Sequence, residues 1–319
     1  MKKFIEYTIF FSCIFPSLYA QTGKLFTTDN ELSNSLINTI YQDSRNYIWI
    51  ATEDGLNKFD GIKFTIYRNE NGNIHSLKNN YVRSLFEDSK GRFWVGLVNG
   101  LMIYDRGNNL FTEIPLYFGN KIIEPHVSSI IETKKGEILI STSSDAILRY
   151  DSKNNRFNVD NQLLTKLCSR YIISVFEDSK QNLWIASADK GVNCYNQKTG
   201  KIKLFNAPVS LGNNQISAII EDDKGSIFVG TLSGGLFKLN PDLQKFEPVS
   251  YQNGINNLPI KTLYFDKNKR LLIGTDGRGL KFIIQKQIIL KITKFSQRLS
   301  IFQTQKFIQS YSIKWVIPG

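Results

Sequence analysis

The feature that most constrains this fold is a segment of about 45 residues that recurs six times along the chain. When the copies are aligned, six bulky anchor residues fall in register at spacings of 45, 45, 45, 44 and 44 residues. These anchors are Trp49, Trp94, Leu139, Trp184, Phe228 and Leu272. A fixed period of this length is typical of solenoids and propellers, in which each copy buries its core against its neighbours.

Each copy has the pattern of four short strands, a to d. A run such as "VRSLFED" alternates apolar and polar residues ahead of the anchor, which begins strand b. Three residues before each anchor a turn needs a left-handed backbone, which Gly or Asn adopts most easily. A small residue follows each anchor by two positions and allows close approach of neighbouring sheets, and a Gly precedes strand c in every copy except the third.

The sequence therefore predicts an all-β fold, a β-propeller of about six four-stranded antiparallel blades that is incomplete at its C-terminal end. We expect the sixth blade to stop after strand b or c, and the anchors to pack between adjacent blades. A short strand at 24–28 is expected to lie ahead of the first blade. The predicted blades span residues 35–67, 80–113, 126–159, 171–205, 215–249 and 259–282.

Both ends of the chain depart from the repeat. Residues 1–20 combine two lysines, an apolar run and Ala20, as in a secretory signal peptide, so we expect an exported, periplasmic chain that begins near Gln21. The competing interpretation is a lipoprotein signal on Cys13. Residues 281–319 lack acidic residues and the blade pattern, so we expect an aberrant basic tail that is poorly ordered or helical. Truncation, a frameshift or an authentic extension would each explain such a tail.

The net charge of +12 does not indicate nucleic-acid binding, because the charge is concentrated at one end. Eight of the 40 Lys and Arg residues lie between Gly277 and Gly319, so the rest of the chain has a net charge of only +4. No nucleic-acid partner is expected, and no membrane span is expected in this chain. After export two cysteines, Cys168 and Cys194, would either pair or remain free buried thiols.

The segment "LSNSLINTIYQDSRNYIWIATEDGLNKFDG" and its copies from Tyr81, Val127, Tyr171, Ile216 and Ile260 resemble the two-component regulator propeller repeat. The resemblance covers residues 24–280 and implies the periplasmic sensor region of a hybrid two-component histidine kinase. Such regions commonly respond to oligosaccharides, form rings of seven blades and occur in dimers. Membrane, kinase and output domains follow in that family but not here, so we predict a binding module rather than an enzyme, with an oligosaccharide or another small polar ligand as its partner.

In a propeller the b–c and d–a loops gather on one face around the mouth of the central channel. These loops carry amides and carboxylates that suit hydroxyl groups, and tyrosines that suit sugar rings, so we predict a carbohydrate-binding surface there. The candidate ligand-binding residues are Glu53, Asp54, Arg68, Asn80, Tyr81, Asn99, Asp145, Arg170, Tyr171, Asp189, Lys190, Asn213, Asp276 and Arg278. The a–b and c–d turns are predicted to be structural.

No cofactor, metal site or catalytic residue is predicted. His75 and His126, the two histidines, lie neither at metal-ligand spacing nor beside a nucleophile motif, so both are expected to be loop residues. Two alternatives remain open: an extracellular propeller enzyme acting on glycans, of lyase or sialidase type, and a pure interaction scaffold. An enzyme would need acid and base groups that converge in a pocket.

Overall fold

The structure, a computed structural model, describes residues 26–29, 31–242, 244–249, 257–284 and 287–288. Six β-sheets follow one another along the chain, and the first strands of successive sheets contact each other, which places them around a common axis. The predicted propeller is therefore confirmed. The predicted signal peptide and most of the predicted basic tail lie outside the described residues. Within the described part, no helix is long and apolar enough to cross a membrane.

Each blade contains four strands that pair antiparallel in chain order, from strand a at the axis to strand d at the rim. Blade 1 consists of β1 (Ile37–Gln42), β2 (Ile48–Thr52), β3 (Gly55–Phe59) and β4 (Phe64–Tyr67), and blade 2 of β5 (Val82–Glu87), β6 (Phe93–Leu97), β7 (Gly100–Asp105) and β8 (Leu110–Ile114). The inserted strands β9 (Leu116–Phe118) and β10 (Lys121–Ile123) follow, then β11 (Val127–Glu132), β12 (Ile138–Thr142), β13 (Ile147–Asp151) and β14 (Arg156–Val159) of blade 3 and helix α1 (Asn161–Leu164). Blade 4 contains β15 (Ile172–Glu177), β16 (Asn182–Ser187), β17 (Val192–Asn196) and β18 (Ile202–Phe205), blade 5 contains β19 (Ile216–Glu221), β20 (Ile227–Thr231), β21 (Gly235–Asn240) and β22 (Lys245–Pro248), and blade 6 contains β23 (Ile260–Phe265), β24 (Leu271–Thr275), β25 (Leu280–Ile284) and β26 (Gln287–Ile288).

Blade 3 is larger than the sequence predicts. The hairpin β9–β10 adds to its outer edge, where β9 pairs parallel with β14, so this sheet has six strands. Helix α1 follows directly, and the side chain of Asp160 caps it by accepting the backbone N–H of Leu163 at 3.1 Å. Both insertions lie in d–a connections and leave the anchor spacing unchanged, which is why the period does not reveal them.

The a–b turns have the predicted left-handed residue in every blade. The positive φ angles belong to Asn46, Gly91, Gly136, Gln181, Gly225 and Lys269 and range from 61° to 79°. In blade 1 the carboxylate of Asp43 organises this turn, because it accepts the backbone N–H groups of Arg45 and Tyr47 at 3.0 and 2.9 Å. Its second oxygen accepts the indole N–H of Trp49 at 2.9 Å. Asp88 with Trp94 and Asp178 with Trp184 repeat this pair at the same distance.

The anchors pack between blades, as predicted. The ring of Trp49 lies 4.6 Å from Phe93 and 5.0 Å from Tyr104, both in blade 2, measured between ring centroids. Trp94 contacts Tyr150 and Phe157 of blade 3 in the same way, at 5.2 and 5.6 Å. Trp49 and Trp94 are fully buried, so each of these two interfaces has its own aromatic core.

A glutamate links each of the first four interfaces, and we call this contact the clasp. Glu87, the last residue of strand a in blade 2, accepts the backbone N–H and the hydroxyl of Ser44 in blade 1, both at 2.6 Å. Glu132, Glu177 and Glu221 accept the corresponding backbone N–H groups of the preceding blades. Phe265 holds this position in blade 6, where instead Lys269 pairs with Asp223 of blade 5.

Three details differ from expectation: the extent of blade 6, the conformation of residues 26–28 and the environment of the cysteines. Blade 6 has a fourth strand, although only two residues long, and β25 includes residues 281–284, so strand pairing continues past the point where the repeat pattern ends. Residues 26–28 form no strand; Phe26 packs edge-on against Phe59 and Phe64 of blade 1 at 5.3 and 5.1 Å. Cys168 and Cys194 are both free, and Cys168 is exposed rather than buried.

The two thiols point in different directions. The Cys168 sulfur is 3.3 Å from the side-chain nitrogen of Asn193 in β17, whereas Cys194 follows Asn193 in the same strand and packs with Trp184. Successive side chains of a strand point to opposite faces, so a disulfide would require a rearrangement of β17.

Candidate ligand-binding face

The b–c turns and the d–a loops lie on the same face of the propeller, as predicted. In each blade, the backbone carbonyl of the residue just before strand a accepts an N–H from the b–c turn of the same blade, at 2.8 to 3.2 Å. We call the six residues that provide these carbonyls the collar. The collar consists of Leu36, Tyr81, His126, Tyr171, Gln215 and Pro259. Because strands a are innermost, the collar surrounds the mouth of the channel.

Five of the predicted ligand-binding residues form two neighbouring hydrogen-bonded groups beside the b–c turn of blade 1, together called the network. Asp54 accepts hydrogen bonds from Arg68 at 3.1 Å and from the amide of Asn80 at 2.9 Å. The hydroxyl of Tyr81 donates to Glu53 at 3.0 Å. Burial and the bond to Glu53 raise the pKa of Tyr81, so this hydroxyl stays protonated. The network fastens the long d–a loop to the b–c turn, which leaves fewer of its polar groups available to a ligand.

Blade 4 presents its predicted residues differently. Asp189 accepts a hydrogen bond from Ser169 at 2.7 Å, and the backbone N–H of Ala188 donates to the carbonyl of Tyr171 at 3.1 Å. These bonds hold the Tyr171 backbone, while its side chain is 49% exposed. Arg170, the neighbouring loop residue, is also exposed, and Lys190 lies in the adjoining turn. An open aromatic ring beside hydrogen-bonding groups is the arrangement that suits a sugar ring.

The remaining predicted residues are distributed around the same face. Asn213 donates to Ser233 in the b–c turn of blade 5 at 2.7 Å, and Lys261 pairs with Asp276 in blade 6 at 3.4 Å. Asp145 accepts from Ser144 at 2.6 Å, whereas Arg278 is exposed. The side-chain oxygen of Asn99 is buried without a hydrogen bond in the described structure. The predicted residues therefore share a face but do not converge on a single pocket.

His126 belongs to the collar although the sequence prediction did not include it. Its imidazole lies 6.1 Å from the ring of Tyr81, and its Nε2 atom is buried with no hydrogen-bond partner in the described structure. Burial and the positive charge of Arg83 lower the pKa of His126, so the imidazole is neutral at pH 7. The repeat period could have identified His126 as a collar residue, because it lies 45 residues after Tyr81 and 45 residues before Tyr171.

The groups that this face presents are hydrogen-bonding side chains and an exposed aromatic ring. Among residues 31–242, 244–249, 257–284 and the short described pieces at either end, no three His, Cys, Asp or Glu side chains are placed to hold a metal ion. The carboxylates of Glu53 and Asp54 are engaged by neighbouring side chains rather than paired as acid and base. The chemistry that the face offers is hydrogen bonding to polar groups together with aromatic stacking.

Comparisons with known proteins confirm the resemblance seen in the repeats. Residues 31–54, 76–99 and 210–233 match the family described as two component regulator propeller, and they lie in blades 1, 2 and 5. Histidine kinase P4 of Formosa agariphila is 48% identical over 65 residues, which are 19% of this chain and 5% of that protein. Three segments of the chain thus match this repeat, and the aligned segment spans a small part of this relative.

Solved structures share the fold. The extracellular domain of a protein classed as a hybrid two-component system from B. thetaiotaomicron aligns with 87% of this chain, with a TM-score of 0.74 and 22% identity. The chain covers 38% of that domain. Virginiamycin B lyase from Staphylococcus aureus aligns with 82% of the chain, with a TM-score of 0.60 and 12% identity. At these identities the similarity establishes the propeller fold alone.

Proposed function

We propose that this chain, which carries two-component regulator propeller repeats, is a ligand-sensing module of a hybrid two-component signalling protein. It is exported to the periplasm and binds an oligosaccharide at the collar without catalysing a reaction. The exported location is supported by the solved relatives, which are extracellular domains of two-component systems. The kinase activity of the family belongs to domains other than the propeller.

The observation that carries the proposal is the exposure of Tyr171 at the collar. Trp49 and Trp94 are buried between blades, whereas Tyr171 is 49% exposed on the loop face. Arg170 and Lys190 next to it supply hydrogen-bond donors, and Asp189 supplies a carboxylate. Stacking on a sugar ring combined with hydrogen bonds to its hydroxyls is the chemistry that this combination favours.

The test is calorimetric titration of the purified chain with a library of oligosaccharides released from polysaccharides. We expect binding that Tyr171→Ala weakens by roughly tenfold or more, because the stacking surface is lost. The matched control is Tyr117→Ala, since Tyr117 lies in the inserted hairpin at the rim of blade 3. Equal affinity of the native chain and the Tyr171→Ala variant would contradict binding at the collar.

An extracellular glycan lyase is the second candidate, because a lyase shares this propeller fold. The same titrated samples distinguish the two functions when they are examined by chromatography after incubation. A sensor returns the oligosaccharides unchanged, whereas a lyase produces shorter products with an unsaturated end. Appearance of such products would replace the sensing proposal with an enzymatic one.

A further inference from the structure

A cleft of about 520 Å³ opens between the outer halves of blades 3 and 4, away from the collar. Its volume falls within the range of roughly 300–1,000 Å³ that small-molecule sites occupy. One wall comes from strands c and d of blade 3 and the start of α1, and the other comes from the end of strand c in blade 4. The residues that line the cleft include Glu137, Arg149, Asn158, Asp160 and Tyr195.

The cleft opens where the repeat loses its aromatic anchor. In the two preceding interfaces, Trp49 packs 5.0 Å from Tyr104 and Trp94 packs 5.2 Å from Tyr150. The corresponding pair between blades 3 and 4 is Leu139 and Tyr195, and leucine does not fill the volume of an indole. The carboxylate that would accept an indole N–H is also replaced, since Thr133 holds the position of Asp43 and Asp88.

Polar side chains line the cleft at this interface, whereas Leu139 itself is buried and is not a lining residue. The guanidinium of Arg149 pairs with Glu137 at 2.6 Å and with Asp160 at 2.9 Å, which fixes all three side chains on the blade 3 wall. The amide of Asn158 and the hydroxyl of Tyr195 have no hydrogen-bond partner within the described residues. The cleft thus combines fixed carboxylates with unused donors and acceptors, which is a polar site rather than a defect in an apolar core.

The position of the cleft also coincides with the irregular part of the repeat. Both insertions of the described chain, the hairpin β9–β10 and the helix α1, flank strand d of blade 3. Asp160, the N-cap of α1, contributes directly to the cleft. Departures from a repeat concentrate where a repeat protein binds its partner.

We propose that this cleft binds a neutral oligosaccharide of a few sugar units, as a site separate from the collar. Carboxylates already paired with Arg149 retain oxygens that accept sugar hydroxyls, and they disfavour a charged acid in the ligand. The charges around the cleft nearly balance, with Lys135 and Arg149 against Glu137, Asp151 and Asp160. The inference does not depend on the collar, because no collar residue lines the cleft.

The experiment is calorimetric titration of the full chain with cellotriose, xylotriose and mannotriose, and with trigalacturonate as the charged comparison. We expect a neutral trisaccharide to bind and trigalacturonate not to bind. Asn158→Ala should weaken the affinity roughly three- to tenfold, the value of one or two lost hydrogen bonds. The matched control is Thr112→Ala, because Thr112 holds the position of Asn158 in blade 2, and it should leave affinity unchanged.

A second variant, the filled variant, is designed to place an indole against Tyr195, which lines the cleft, without removing any of the polar groups there. Thr133→Asp combined with Leu139→Trp would recreate the pair that Asp88 and Trp94 form in blade 2, and it should abolish trisaccharide binding. Thermal unfolding of the variant verifies that the fold is retained. Binding that survives in the filled variant, binding of trigalacturonate alone, or no binding of any neutral trisaccharide overturns the proposal. Loss on Tyr171→Ala with no loss in either cleft variant assigns the sugar to the collar and also overturns it.

Discussion

The indole nitrogen of Trp94 donates a 2.9 Å hydrogen bond to the carboxylate of Asp88, six residues earlier in the same blade. The same carboxylate accepts the backbone N–H groups of Lys90 and Arg92 at 3.0 and 2.9 Å. One side chain therefore connects the a–b turn with the core between blades 2 and 3. The anchor depends on this acceptor, because a buried N–H without a partner is costly.

Asp88→Ala is expected to lower the free energy of unfolding by about 2–4 kcal/mol, because it leaves the indole N–H of Trp94 buried without an acceptor. Urea denaturation measures the loss. The control is Asp222→Ala in blade 5, where the carboxylate accepts only two backbone N–H groups and the anchor is Phe228. This variant should lose roughly 1 kcal/mol. Equal losses would show that the indole bond contributes nothing.

Gly96→Ala tests the close approach of neighbouring blades. A Cβ atom on Gly96 would overlap the hydroxyl of Ser84 in the same blade and would lie 2.9 Å from Cγ1 of Val127 in blade 3, closer than side chains pack. The Ser84 side chain would have to move, and blade 2 or blade 3 would have to shift. We expect a loss of about 1–3 kcal/mol, measured by guanidinium denaturation. Gly107→Ala, in the c–d turn of the same blade, should change stability by less than ~0.5 kcal/mol. A Gly96→Ala variant as stable as the native chain would contradict the packing argument.

Glu132→Ala removes the clasp between blades 2 and 3. Glu132 accepts the backbone N–H of Ser89 at 2.7 Å and the Ser89 hydroxyl at 2.6 Å. We expect a loss of roughly 1–2 kcal/mol and faster hydrogen exchange at the Ser89 amide. Glu113→Ala serves as the control, because Glu113 forms an exposed ion pair with Lys78 on the opposite side of the blade. An unchanged exchange rate at Ser89 would rule out the clasp as a stabilising contact.

His126 should make stability depend on pH. Burial and Arg83 lower its pKa in the folded state, so the unfolded chain takes up a proton more readily than the folded chain. Stability is therefore complete above the unfolded pKa of about 6.5 and falls as the pH drops below it. Urea midpoints measured at pH 7.5 and pH 5 should differ less in His126→Asn than in the native chain. The same pH dependence in both proteins would exclude His126 as the cause.

Most of the fold follows from the repeat, because strand alternation and the left-handed turn residues are local properties of the chain. The packing of the anchors between blades was predicted from the regular spacing of these bulky residues. The partner of each anchor was missed, although Asp43, Asp88 and Asp178 all precede a tryptophan by six residues. Thr133 accompanies the change of anchor to Leu139, a paired substitution that the sequence already contains.

The candidate site was harder to predict, because its hydrogen bonds join residues that are far apart in sequence. Propeller geometry predicted that the b–c and d–a loops share one face, which the structure confirms. The bonds of Asp54 to Arg68 and Asn80 could not be predicted, because they depend on how a 14-residue connection between β4 and β5 folds back. The hairpin β9–β10 was missed because its two strands are only three residues long each and fit within an unchanged period. The role of His126 required comparison of repeat positions rather than a search for motifs.

The clasp contacts all run in the same direction along the chain, from one blade to the blade that follows it. Ser44, Ser89, Lys134 and Ser179 each donate their backbone N–H to a glutamate that comes later in the chain, in the following blade. In a chain that emerges amino end first from a translocation channel, the a–b turn of the last blade to emerge would therefore lack its glutamate acceptor until the following blade emerges. Mechanical load at the carboxyl end should act in reverse and detach blade 6 first, because Phe265 replaces the clasp glutamate there and the exposed Lys269–Asp223 ion pair is a weaker link to blade 5. Forced disassembly would then run in the reverse order of assembly, with the last blade to form being the first to detach.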